Sequence, residues 1–367
     1  MLLLLLLLLS PAAYGAENPG EALSDTQLSA GVGLDELQNA AGAYLDGYLN
    51  TSALTGSDFG SGARAILDGQ RTSLPGVLRG VCRSGAVLML VALLCGLAGS
   101  VGEELGSGGL APHRLAGAAA VCAVAVVDVN SLMSLGRQAL EQMKSFSALL
   151  LPTVTAACAA AGAPVSAVAR QGATLIFFDL LISLTERFLL PLVYAYLAAV
   201  TAAAALDNDG LKRLGGLMKW ACTGLLTGLL TIFVFYLTFT GAVAGNADAL
   251  AQKAAKTALA GMVPVVGSIL SDAAETVVAG AGVLKGTVGV VGLLTVLAIC
   301  LTPFLQLGLH YLVYKCAAAL SATAAPGFAA GLIDAVGSAF ALMVGMVGGS
   351  GVILYVALVT SVKAVGG

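Results

Sequence analysis

Apolar runs long enough to cross a bilayer follow one another from Ser84 to Val362, and that succession constrains the fold more than any motif does. The runs are Ser84–Val101, Leu115–Met133, Phe146–Ala169 (interrupted by Pro152 and Pro164), Ala173–Ala205, Trp220–Ala244, Gly286–Leu301, Phe304–Ala324 and Ile333–Val362. A spanning helix needs about 20 predominantly apolar residues. Ala173–Ala205 is too long for one span and carries Thr185-Glu186-Arg187 at its middle. The pattern therefore predicts an all-α, polytopic membrane helix bundle of seven or eight spans. Composition agrees: 10% of the 367 residues are charged, against roughly 25% in soluble domains. The net charge of −3, with no basic block, argues against a nucleic-acid partner and leaves the lipid bilayer as the medium. Seven cysteines without a CxxC pair, mostly inside apolar runs, read as small hydrophobes, and two histidines cannot build a multi-histidine metal centre. No cofactor is expected.

The sequence divides into five stretches. Residues 1–15 resemble a signal peptide: Leu2–Leu9 is too short to span, and Ala13-Tyr14-Gly15 offers small residues before a cleavage site. No Lys or Arg precedes the leucines, which departs from the usual pattern. Residues 16–83 form the one sizeable polar segment, expected outside the cytoplasm. In it Leu34, Leu37, Ala41, Tyr44 and Tyr48 mark one face of an amphipathic helix, Ser57-Asp58 a helix start and Asp68-Gly69 a turn. Residues 84–244 hold the first group of spans, 245–285 an amphipathic or re-entrant segment, and 286–367 the C-terminal spans.

Orientation is contradictory on sequence grounds. A cleaved signal exports the N-terminal segment, whereas Arg64, Arg71, Arg79 and Arg83 before the first span would keep it inside. Lys212, Arg213 and Lys219 form a second basic cluster, before Trp220. Small residues four apart at Gly224/Gly228, Gly241/Gly245, Gly282/Gly286 and Gly345/Gly349 allow close helix approach, and the last pair, lying mid-helix, is the strongest candidate.

A charge at the centre of a spanning helix costs about 2.5–3.5 kcal/mol or more, so each needs a reason. Asp128 and Asn130 fall near the end of the second run. Asp179 and Glu186 are seven apart and share a face, while Arg187 follows Glu186 about 100° around the helix. They read either as a kinked, water-accessible structural element or as ion ligands. Gln306 and His310 form an i, i+4 pair, with Tyr311 and Lys315 beside it; they either line an aqueous cavity or bond to neighbouring helices, with Lys315 reaching the interface.

Between Pro264 and Gly292 the chain carries charge at helical spacing: Asp272, Glu275 and Thr276 share a face, opposite Ile269, Leu270, Ala273 and Val277. Lys285, Gly289 and Gly292 follow in a glycine-rich lead into the next apolar run. The order Pro264-Val-x-Gly267, then Asp272-Ala-x-Glu-Thr-Val277, then Leu284-Lys-x-Thr-Val-Gly-x-x-Gly292 resembles the stage III sporulation protein AE family of endospore-forming bacteria. The likeness continues through a Leu-Thr-Pro-Phe break at 301–304 and Tyr311-Leu-Val-Tyr-Lys315, and the rest of the chain matches by layout. The resemblance implies a multi-pass subunit in the mother-cell membrane around the forespore. Its implied partners are the other stage III A sporulation proteins and a forespore-side partner, in a channel-like complex needed for late forespore development. By analogy, Pro264, Gly267, Asp272, Glu275, Thr276, Lys285, Gly289 and Gly292 become candidate docking or gating residues.

No catalytic signature accompanies these features. The sequence around Gly280–Thr287 has Lys-Gly-Thr where a phosphate-binding loop has Gly-Lys-Thr, and Val352 stands where Gly348-Gly-Ser-Gly would need a final glycine for a nucleophile elbow. The chain is expected not to be an enzyme. The rival class is a stand-alone secondary transporter for a small solute, which would show paired discontinuous helices in two related halves. One broken run, 173–205, and one glycine-rich lead, 280–292, are present without a convincing repeat between them.

Overall fold

The computed structural model describes residues 33–48, 59–104, 112–160, 164–262, 267–323 and 327–363, with the backbone alone over 240–285 and at several helix ends. The signal-peptide stretch, residues 1–15, lies outside the described residues. Eight α-helices are described: α1 (Leu34–Leu45), α2 (Phe59–Glu104), α3 (Pro112–Ala160), α4 (Pro164–Leu184), α5 (Leu190–Leu206), α6 (Asp209–Met262), α7 (Gly267–Ser321) and α8 (Gly327–Lys363). A π-helical turn, Thr185–Leu189, joins α4 to α5.

Six helical segments are long and apolar enough to cross a membrane: Phe59–Ala98, Arg114–Ala159, Thr174–Leu206, Asp209–Tyr236, Gly286–Ser321 and Gly327–Val359. This corrects the expected seven or eight, among the described residues, because two helices each carry two of the apolar runs. In α3, Arg137, Glu141 and Lys144 separate the runs in sequence, but all three sit on the exposed face. The inner face continues unbroken through Met133, Gly136, Leu140, Met143 and Leu150, so the helix continues too. In α7 the expected break at 301–304 is absent, and Pro303 lies within one helix. The turn expected at Asp68-Gly69 is likewise helical, inside α2. Gly69 is there because the Tyr48 ring occupies the space a Cβ would take.

The α7–α8 hairpin is the centre of the bundle. In its most apolar stretches 72% of α7 and 67% of α8 is buried, against 22–33% for the other four candidates. Val290, Leu294, Ile299 and Leu307 of α7 pack with Ile333, Phe340, Met343 and Val347 of α8 in one core. The outer helices turn Leu94, Leu97, Val127, Ile176, Trp220 and Phe235 outward, the apolar surface a bilayer would cover. Gly345 and Gly349 of α8 face Leu226 and Leu230 of α6, where a Cβ would come within 3.0 and 3.3 Å; Gly224 and Gly228 face open space.

α1 docks on this bundle by the stripe its spacing predicts. Leu34, Leu37, Ala41 and Leu45 are buried, Asp35, Glu36 and Asp46 exposed, and the Tyr44 ring meets the edge of Phe146 of α3. The segment joining α5 to α6 is tight. Asp207 closes α5 in the left-handed conformation (φ 52°), and the Asn208 side-chain oxygen accepts from the amides of Gly210 and Leu211 to start α6.

Candidate functional site

The central helix α7 carries Thr302, Gln306, His310 and Tyr314 four residues apart, a polar row of about 18 Å that follows the apolar stretch Val288–Leu301. At its upper end Gln70 of α2, 6% exposed, donates to the Thr302 hydroxyl at 2.7 Å and to the Tyr48 hydroxyl at 3.0 Å. These groups and Gln306 border a cavity of about 170 Å³, also lined by Ser73, Leu74, Val77 and Leu305. Pro303 beside it has no amide proton, so the carbonyl one turn back loses its helical donor at the level of this polar pocket. One turn on, His310 Nδ1 lies 2.8 Å from the Gln306 carbonyl, which requires the proton on Nδ1. The ring then stacks edge-on with Phe340 of α8. The row ends at Tyr314, fully buried, whose hydroxyl donates to Asp128 of α3 at 2.7 Å.

Beside Tyr314 a second set converges from four helices. Lys315 of α7 pairs with Asp334 of α8 at 2.6 Å. Its ammonium also reaches the Ser338 hydroxyl of α8 at 3.2 Å, and Lys219 of α6 reaches the same oxygen at 3.0 Å. Ser338 donates its own proton to the Asp334 carbonyl at 3.1 Å, so one hydroxyl has its donor and both lone pairs in use. Tyr196 of α5 donates to the Ala335 carbonyl at 3.1 Å and anchors the same turn of α8. Two ammonium groups thus share the Ser338 oxygen, and Lys315 alone pairs with the Asp334 carboxylate.

The other sequence-selected residues are placed differently. Asp179 pairs with Lys144 of α3 at 3.5 Å, both side chains largely exposed, on the outer surface. Glu186 and Arg187 are also exposed and lie on the π turn. That wide turn precedes Pro191, which cannot donate to the carbonyl four residues back, so the irregularity has a local backbone cause. Asp179, Glu186 and Arg187 therefore do not converge with Gln306, His310 and Lys315. In the 264–292 stretch, Gly289 and Gly292 are buried, and a Cβ on Gly292 would come within 2.5 Å of Leu150 Cδ1. Gly267, Asp272, Glu275, Thr276 and Lys285 follow the α7 backbone, with side chains outside the described residues, and Pro264 lies outside them altogether. Asp334, Ser338, Gln70 and Tyr196 were not singled out from sequence. The four-residue spacing from Thr302 to Tyr314 was the available signal for the row, whereas nothing local marks partners on other helices.

A family model described as stage III sporulation protein AE matches residues 86–365, from the middle of α2 to the end of the last helix. The curated stage III sporulation protein AE of Bacillus subtilis (strain 168) is 27% identical over 183 residues, which is 50% of this chain. The aligned stretch spans 46% of that relative's length. No solved structure matches.

Proposed function

The chain belongs to the stage III sporulation protein AE family, and from that membership we propose that it is a membrane subunit of the stage III A channel-like complex joining mother cell and forespore. Its place is the mother-cell membrane around the forespore, where it works with the other stage III A proteins and a forespore-side partner. Its role is assembly and passage, not catalysis. The family match carries this reading, because it runs through nearly the whole helical bundle, including the central α7–α8 hairpin. The start of α7, with Asp272, Glu275 and Lys285, is the docking or gating element in this proposal.

An in-frame deletion in the native endospore-forming host tests it, scored by microscopy and a late forespore reporter. Arrest after engulfment with a collapsing forespore and a silent reporter is expected. Changing Asp272, Glu275 and Lys285 together should reproduce the arrest with the protein still in the membrane, and wild-type sporulation in that variant would remove the docking role. A stand-alone secondary transporter would use the polar row of α7 as its path. Normal spores combined with a solute-uptake defect during growth would replace the sporulation role with that one.

A further inference from the structure

We infer that Lys219 and Lys315, gathered on Ser338, form a binding site for the phosphate of an anionic phospholipid. Both ammonium groups lie within hydrogen-bond reach of one hydroxyl, and that hydroxyl has no capacity left, since its proton is on the Asp334 carbonyl. Asp334 balances Lys315, but Lys219 makes no ion pair among the described residues and is exposed. One positive charge is left over, held beside a second cation. A phosphodiester oxygen is an acceptor that both lysines can share, and its charge removes the excess.

The surroundings select a lipid over a free anion. Lys219 lies ten residues from the start of α6, about 15 Å along it, and is followed directly by Trp220, 72% exposed. An exposed indole next to a lysine at this depth is the arrangement of a headgroup boundary, where Trp is enriched. Leu312, three residues before Lys315 on the same face of α7 and 56% exposed, offers apolar surface beside the site for an acyl chain. Lys212, seven residues before Lys219, sits on the same face of α6 toward the helix start. Basic positions between spanning helices are where acidic headgroups bind. This site does not depend on the sporulation role proposed above.

The full chain, purified in detergent and exchanged into mixtures of phosphatidylglycerol and phosphatidylcholine, can be examined for retained lipid by native mass spectrometry. Retention of one phosphatidylglycerol several-fold above phosphatidylcholine is expected, reduced to parity in Lys219→Gln and kept in Lys219→Arg. Lys219 is exposed, so both variants should fold, and an unchanged melting temperature of the lipid-free protein confirms it. Equal retention of the two lipids by the unaltered chain overturns the proposal, as does a phosphatidylglycerol preference that survives Lys219→Gln. Inorganic phosphate bound through Lys219 in phosphatidylcholine alone, with no lipid preference, overturns the lipid assignment.

Discussion

Gly292 shows how one residue fixes the approach of two helices. Its missing side chain leaves room for Leu150 of α3, fully buried and 2.5 Å from where a Cβ would stand. Gly292→Ala should therefore destabilise the bundle by about 1–3 kcal/mol, the usual range for overpacking. Leu150→Ala alone should cost about 2–5 kcal/mol through the cavity it leaves. The two changes share one space, so Gly292→Ala should cost little in the Leu150→Ala background. Unfolding of the four proteins in detergent measures that coupling, and strict additivity would show that the glycine serves something other than this contact. Gly292 was legible as part of a glycine-rich stretch, but its partner is 142 positions earlier in the chain, and no local pattern names it. The same limit applies to Lys315. Its place on α7 could be read from the sequence, whereas Asp334, Ser338 and Lys219 meet it only because α6, α7 and α8 lie side by side.

At the scale of elements, the two-residue link Asp207-Asn208 holds more than its own hairpin. Asp207 accepts a hydrogen bond of 2.6 Å from Arg114 at the start of α3, its other carboxylate oxygen pairs with the same guanidinium, and that guanidinium lies 5.2 Å over the Phe328 ring at the start of α8. Three helix ends are thus tied together on one end of the bundle. The hydrogen bond from Arg114, with smaller help from the charges of Arg114 and Lys212, holds the Asp207 carboxyl below its ordinary range despite an opposing effect of burial. A group whose folded value is depressed stabilises the fold above its unfolded value, near 3.9, and loses that contribution as the pH falls through the folded value. Asp207→Asn should remove this part of the acid dependence while keeping the left-handed backbone, which Asn tolerates. Asp207→Ala should be less stable than Asp207→Asn at neutral pH, because it also strains that backbone. Melting temperatures from pH 3 to 7 at low salt check both, and a pH profile unchanged in Asp207→Asn would show that the pair contributes nothing. The helices themselves were largely written in the sequence, and the division of α3 failed for a physical reason. Composition averaged around α3 blends an unbroken apolar face with the outward Arg137, Glu141 and Lys144, so one long helix looks like two spans.

For the whole molecule, the number and direction of the helices pair the ends of the elements face by face, which charge alone does not. With all six candidate helices crossing, the chain returns to the side on which the first began, so the start of α2 and the end of α8 belong to the same face. The contacts among Arg114, Asp207 and Phe328 gather the ends of the helices around 104–112, 206–209 and 321–327 at the opposite face. Lys212 and Arg213 lie at that second face, and Arg64 and Arg71 near the first, so basic residues mark both ends and cannot orient the chain by themselves. The two faces can be told apart chemically. In a chain freed of its seven cysteines, single cysteines at Ser107 and Ala324 should react with an impermeant thiol reagent from one side of the membrane. Cysteines at Ala163 and Gly366 should react from the other. Ser107 and Ala324 reacting from opposite sides would mean that one of the six helices does not cross. The side shared by Ala163 and Gly366 would also decide the conflict at the N-terminus. An external position for them agrees with an exported N-terminal segment, and a cytoplasmic one with the arginines at the start of α2.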